Sequence, residues 1–476
     1  MATIAVTTMD GTFAELEYSA LDTLRARVSG QIILPGDPGY ELARRVWNGM
    51  IDRRPAIIIL CYNPDDVIAA VGFARENRLP LAVRGGGHNV AGFGTCDGGL
   101  VVDLSPMRSV QVDGQARTVR VDGGATMGDV DGATQTHGLV IPGGIVSTTG
   151  IAGLTLGGGQ GWLRRTFGMT CDSLLSADVV TADGQLVTAS ETDNPDLFWA
   201  LRGGGGNFGV VTSFKFQAHA VGPMIAFAGP TYPLDSASRV MTGMRRYAEK
   251  APDEVSISAT WWTIPASPAF PANLHGQAVI TLGATYAGPP EEGEVVLMPL
   301  REIEDPVLDL SGTLPYVSLQ QMFDPFFPAG ELQYYWKSIY LVDLEESGVS
   351  TVANYVASRP SPMSMVGLWV LGGALGRVDA AATAAGARSA PFLLEILANW
   401  ADGDEAETNI AWAREFSDAM VPFATGKTNL NFPGHGNEPG FFRAALAENW
   451  DRLVEVKRRY DPTNLFRLNQ NIDPAG

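Results

Sequence analysis

Apolar residues in this chain occur either as short unbroken runs closed by turns or as longer stretches spaced for one helix face. Ala-Ile-Ile-Ile-Leu-Cys-Tyr at 56–62 is of the first kind and predicts a buried strand. Asn-Pro-Asp-Asp at 63–66 then caps a predicted helix that runs to about Glu76, with Val67, Ala70 and Phe73 on one face. Leu-Pro-Leu-Ala-Val (79–83) and Gly-Gly-Leu-Val-Val-Asp-Leu (98–104) read as two further short strands. Residues 36–50 open with a turn and continue as a predicted helix carrying Leu42, Val46 and Trp47. Residues 176–190 form a predicted hairpin with Asp183-Gly184 as its two-residue turn, followed by a short helix at 194–202 and an alternating strand at 209–216.

Near residue 222 the texture changes. Glycine clusters become rare and aromatic residues frequent, with strands predicted at 334–341, 365–371 and 392–400. Helices are expected at 235–250 and 404–420, and a last one at 449–460. An α+β chain results, with a glycine-rich part and a strand-rich, aromatic part packed on it. A length of 476 residues exceeds one ordinary core and agrees with two domains.

Composition narrows the partners. A net charge of −19 argues against nucleic acid and anionic membranes, both of which need a basic face. No apolar run approaches the roughly 18 residues of a membrane span. The N-terminal residues lack a secretory pattern, so a cytoplasmic location is expected. Cys61, Cys96 and Cys171 are too widely spaced for a metal motif, and the five histidines show no paired spacing, so no metal is expected. The 55 glycines are the anomaly: about 12% of the chain against a usual share of roughly 7%, clustered between 85 and 209.

Three glycine groups carry the candidate chemistry. Arg84-Gly85-Gly86-Gly87-His88-Asn89, with Gly92 after it, lies between two predicted strands, where successive bare N–H groups can meet an anion. The second group runs from Gly143-Gly144 through Gly150 and Gly153 to Gly158 and Gly161. The third, Gly204-Gly205-Gly206-Asn207-Phe208-Gly209, formally matches Gly-x-Gly-x-x-Gly, but a helix precedes it and a strand follows. That order is the reverse of a Rossmann site. Together the groups imply several backbone segments converging on an extended phosphate-bearing ligand such as a dinucleotide. A lone loop histidine is ordinarily structural. Beside three such glycines, His88 becomes a candidate nucleophile or cofactor tether. Glu395, inside the apolar run Phe-Leu-Leu-Glu-Ile-Leu-Ala-Asn-Trp, must face water, a partner or a ligand, and a solvated strand face is the commoner arrangement. Tyr334-Tyr335-Trp336-Lys337 and Trp369 read as core or sheet-face residues, one face of which could line a cavity, and His435 lies in a glycine loop.

Arg84-Gly-Gly-Gly-His88 followed by Gly-Gly-x-Val-x-Asp-Leu resembles the histidyl-flavin loop of the vanillyl-alcohol-oxidase type (PCMH-type) FAD family. Gly153-Leu-Thr-Leu-Gly-Gly-Gly-Gln-Gly-Trp, residues 179–184 and 195–212, and the tail from Lys457 resemble its berberine-bridge-enzyme-like branch. The resemblance implies a two-part FAD-binding domain (1–222), a substrate domain with an antiparallel sheet covered by helices (223–435) and a segment (436–476) returning to the FAD domain. It implies FAD bonded through its 8α carbon to His88. The second, cysteinyl tether of many relatives is not expected, because Val146 holds that place in Val146-Ser147-Thr148-Thr149-Gly150. Ser147, Thr148, Val211, Asn469 and Asn471 join the glycines as expected cofactor neighbours, and Thr149 takes the position that controls oxygen access. The tail is similar to the 6-hydroxy-D-nicotine oxidase type, and Thr149 also resembles the flavin-N5-oxide oxygenase type. Asn429 stands where many relatives have a tyrosine base, so either Glu395 or Tyr335 accepts the proton instead, or hydride transfer proceeds without a dedicated base. The implied activity is oxidation of a small organic substrate, with hydride passing to flavin N5 and O2 as acceptor. An N5-oxide oxygenase and a non-catalytic metabolite-binding flavoprotein are the alternatives.

Overall fold

The computed structural model describes residues 3–432 and 441–476. His435 and the expected boundary at 435/436 lie outside the described residues. Ile57–Leu60, Leu81–Arg84 and Leu100–Asp103 form the parallel part of a four-stranded sheet that Gln31–Ile33 completes antiparallel. Between the first two of these strands runs the Pro64–Glu76 helix, whose first turn is capped by the Asn63 side chain accepting from Asp66 N. The glycine loop 85–99 therefore joins adjacent parallel strands without a helical crossover. A five-stranded antiparallel sheet follows, in the order Leu186–Ser190, Leu174–Val180, Val210–Gln217, Thr118–Asp122, Val110–Asp113.

Two local expectations change. The 176–190 hairpin closes through Thr181–Gln185, with Ala182, Asp183 and a left-handed Gly184 between them, so its loop is one residue longer than a two-residue turn. Only Tyr40–Ala43 of the region 36–50 is helical. Leu42 is exposed, while Trp47 leaves the turn to make contacts far along the chain.

The second large sheet has nine strands. Its centre runs Ala278–Tyr286, Val255–Thr263, Met365–Val370, Phe392–Trp400, Gln333–Leu341, all antiparallel. Strand residues alternate between two faces. Tyr335, Ile339, Leu394, Ile396 and Ala398 pack with residues of the Ala237–Ala248, Pro290–Arg301, Glu346–Ala357 and Ala406–Ala419 helices. Trp336, Glu395, Leu397 and Trp369 point the other way, toward the glycine loops. The C-terminal helix Trp450–Tyr460 leads back to those loops, where buried Lys457 donates to Asn207 O (2.8 Å), Phe466 O (3.0 Å) and Asp461 Oδ2 (2.7 Å). Asn207 in turn donates to Gln470 O and accepts from Ile472 N, which lays the tail along the third glycine group. No helix among the described residues is long and apolar enough to cross a membrane.

Candidate active site

A cavity of about 270 Å³ lies between the glycine loops and the face of the nine-stranded sheet turned away from its helices. Arg84, Gly85, Gly86, Gly87, His88 and Asn89 border it from the first loop. Gly144, Val146, Thr149, Gly150 and Gly153 border it from the second, Gly209 and Val211 from the third, and Asn469 from the tail. Gly86 and Gly150 face each other so closely that a Cβ on Gly86 would lie 2.6 Å from Gly150 N, and one on Gly150 would lie 2.4 Å from Gly86 N. The wall there is bare backbone because nothing larger fits.

His88 stands in this wall. Its ring stacks on Trp47 at 4.1 Å and 18°, and Trp47 stacks in turn on Tyr334 at 3.9 Å. Trp47 is held at both ends: its N donates to Gly87 O (3.0 Å) and its Nε1 to Phe327 O (3.1 Å). Asn48 donates to Val90 O and Tyr334 O, tying the histidine loop to the large sheet. Burial lowers the His88 pKa to about 4, so the imidazole is neutral at pH 7, and its Nε2 is buried with no hydrogen-bond partner among the described residues. Arg84 is occupied structurally, through Asp103 and Arg45 O.

On the opposite wall the carboxyl of Glu395, 4% exposed, stands among Trp336, Trp369 and Leu397. The expectation of a solvated strand face is thus corrected, because the pleat turns this position into the cavity. Trp369 Nε1 donates to Glu395 Oε2 at 2.8 Å, while Oε1 has no partner among the described residues. Gly367 sits directly across the strand pair; a Cβ there would press on Glu395 Oε2 (3.1 Å) and Trp369 Nε1 (3.4 Å). Loss of solvation raises the Glu395 pKa to about 8, against the lowering effect of the Trp369 hydrogen bond and the Arg164 charge.

Several expected residues lie elsewhere. Tyr335 is one position out of phase with Trp336, so it faces the helices, where Arg414 Nε donates to its hydroxyl. It cannot serve the cavity as a base. Asn429 borders a smaller neighbouring pocket with Gln160 and Tyr340. Gly92, Ser147, Thr148, Gly158, Gly161 and Asn471 do not border the cavity. Ser147 is bonded to Asp324 through its N and Oγ, and Thr148 is exposed. Gly161 is needed by packing, since a Cβ there would fall 1.6 Å from Gly143 O.

Conversely, Phe327, Phe432, Gln160, Asn431 and Gln470 line the cavity without having been assigned a role, and Trp336 is the member of the 334–337 run whose face does line it. Nothing in the sequence signals that Trp47 meets His88.

The residues present fit an FAD. A glycine-walled cleft, an unpartnered buried imidazole nitrogen and an unpartnered buried Asn469 Oδ1 suit an elongated ligand that contacts backbone and needs hydrogen-bonding groups. A cleft of this kind facing an aromatic, carboxyl-bearing sheet fits a flavin-dependent oxidoreductase. A family model described as FAD binding domain matches residues 55–190, and one described as berberine and berberine like matches residues 398–473. An FAD-linked oxidoreductase of Bacillus subtilis is 33% identical over 460 residues, covering 94% of this chain and 98% of that one. (R)-6-hydroxynicotine oxidase of Paenarthrobacter nicotinovorans is 31% identical over 462 residues, again covering 94% and 98%. The crystal structure of 6-hydroxy-D-nicotine oxidase from Arthrobacter nicotinovorans matches with a TM-score of 0.82 at 28% identity, over 94% of this chain and 98% of that one. The chain belongs to the berberine-bridge-enzyme-like branch of the PCMH-type FAD family, and it is an FAD-linked oxidoreductase.

Proposed function

We propose that this enzyme oxidises a small organic substrate (an amine, an alcohol or a secondary-metabolite intermediate) using FAD attached covalently to His88 alone, with O2 as the acceptor. The observation that carries the reading is the buried, partnerless Nε2 of His88 on the wall of the cavity. A neutral imidazole keeps a lone pair free to form a bond, and its pKa near 4 keeps it neutral at working pH. The Trp47 stack holds the ring in one orientation. Val146, on the same wall, has no thiol to supply a second attachment.

When bound, FAD supplies a hydride acceptor at N5 that O2 regenerates. The protein's own part is to orient the substrate and manage its proton. Trp336, Trp369 and Phe432 supply flat apolar walls that position the substrate and exclude water. Among the described residues Glu395 is the one carboxyl bordering the cavity, and once ionised, as pH rises through about 8, its unpartnered Oε1 can take a proton from a substrate N–H or O–H.

The test is acid precipitation of the purified holoenzyme together with intact-mass spectrometry. Flavin colour staying with the pellet and a mass increased by one FAD are expected, and both should vanish in His88→Ala. A native holoenzyme whose mass is that of the bare polypeptide refutes the attachment.

A further inference from the structure

The carboxyl of Glu395 shares its tryptophan with a buried cation. Arg164 is wholly buried, with Nε donating to Val370 O at 2.9 Å, Nη1 to Gly161 O at 3.0 Å and Nη2 to Ile257 O. These three carbonyls come from one glycine loop and two strands of the large sheet, so the guanidinium is fixed from three directions. Its Cζ lies 4.6 Å from the centroid of the Trp369 ring. The indole therefore carries Arg164 on its face and Glu395 on its N–H edge. Among the described residues no carboxylate forms an ion pair with Arg164. A desolvated cation held only by carbonyl dipoles gains when a nearby acid ionises, and the acid gains equally. A cation over the ring also polarises the indole N–H and strengthens its hydrogen bond.

We propose that Arg164 is the positioning cation of this site: stacked on Trp369, it aims the indole N–H at Glu395 and favours the ionised carboxylate that accepts the substrate's proton. The purpose assigned to that carboxylate rests on the reading of Glu395 given above; the coupling between the three side chains does not. Among the described residues, the other titratable and charged groups around Glu395 are Tyr340 on the neighbouring strand and, across the cavity, neutral His88 and Asp103-paired Arg84. Tyr340 stays protonated, since burial raises its pKa further. Arg164 is thus the cation placed to act on Glu395.

The coupling can be read without a substrate, by infrared titration of holoenzyme labelled with 13C-glutamate. The labelling keeps the buried Asp131 carboxyl out of the signal. A protonated-carboxyl band that disappears in Glu395→Gln belongs to Glu395, and its midpoint in the unmodified enzyme is expected near pH 8. Arg164→Gln should move that midpoint up by about one unit or more. Trp369→Phe keeps an aromatic ring, removes the N–H and should move it in the same direction. If Arg164→Gln fails to fold, Arg164→Lys and Trp369→Phe carry the test; the Lys variant keeps the charge and should move the midpoint less than Trp369→Phe does. A midpoint that stays put in folded Arg164→Gln, or in both Arg164→Lys and Trp369→Phe, overturns the proposal. If the midpoints shift as expected but Glu395→Gln reduces its flavin with substrate at an unchanged rate, the coupling stands and the proton-acceptor reading falls.

Discussion

Replacing Gly86 by alanine should separate cofactor binding from folding. Gly86 lies outside the left-handed backbone region, so alanine costs nothing in φ and only contact matters. The new Cβ would stand 2.6 Å from Gly150 N and Cα, where ordinary contact begins at 3.4 Å. Both neighbours are backbone, so no side chain can swing away and the two loops have to part by most of an ångström. Overpacking of this kind costs about 1–3 kcal/mol. That is small beside a stability of roughly 5–15 kcal/mol, so the protein still folds. The parting widens the wall where the first two glycine groups converge, and each 1.4 kcal/mol lost there weakens cofactor binding about tenfold. The assay is the flavin-to-protein absorbance ratio after purification, alongside a thermal melt. Gly132→Ala is the control: Gly132 sits inside the Met127–Gln135 helix with nothing within 4 Å of an added Cβ. It should keep full flavin and gain roughly 0.5–1 kcal/mol. Full flavin occupancy and an unchanged melting temperature in Gly86→Ala would refute the argument that backbone contact sets this wall.

Glu395→Gln should lower the rate of flavin reduction by about 10²–10⁴-fold. It should also abolish the rise in rate that the unmodified enzyme shows as pH climbs through about 8, measured by anaerobic stopped-flow. Asp131 is buried against Gln320, and burial raises its pKa to about 7. The protonated carboxyl is the native one, so its contribution to stability is complete below about pH 4 and is lost as pH rises through 7. Asp131→Asn should flatten that fall, on the order of 4 kcal/mol, in denaturant melts across the range. Lys457→Met leaves Asp461 buried without its cation and removes the donor to Asn207 O and Phe466 O. A loss of about 3–5 kcal/mol is expected in urea unfolding, with faster proteolysis of the tail beyond residue 460.

Much of this protein was legible from local pattern. The strand expected at 56–62, the Asn63 cap, the strands expected at 334–341 and 392–400 and the helix expected at 404–420 each depend on neighbours in sequence, and each forms within two residues of those bounds. The three glycine groups were legible for the same reason. Bare backbone marks a place where something comes close, whatever that something is. The region after residue 36 misled because Leu42, Val46 and Trp47 carry helical spacing, yet the helix ends at Ala43 and Trp47 stacks between His88 and Tyr334.

The face of each sheet residue was settled only in three dimensions. Tyr335 and Trp336 are adjacent and both aromatic, but strand pairing sends one to the helices and the other into the cavity. Pairing likewise sets Gly367 opposite Glu395, making room for the indole of Trp369, and packing brings Arg164 onto that indole from another part of the chain. Sequence by itself determined which elements form and where backbone is left bare, because those depend on interactions within a few residues. Tertiary structure decided which side chains meet in the cavity and with what charge, because register and desolvation exist only once distant strands and loops have come together.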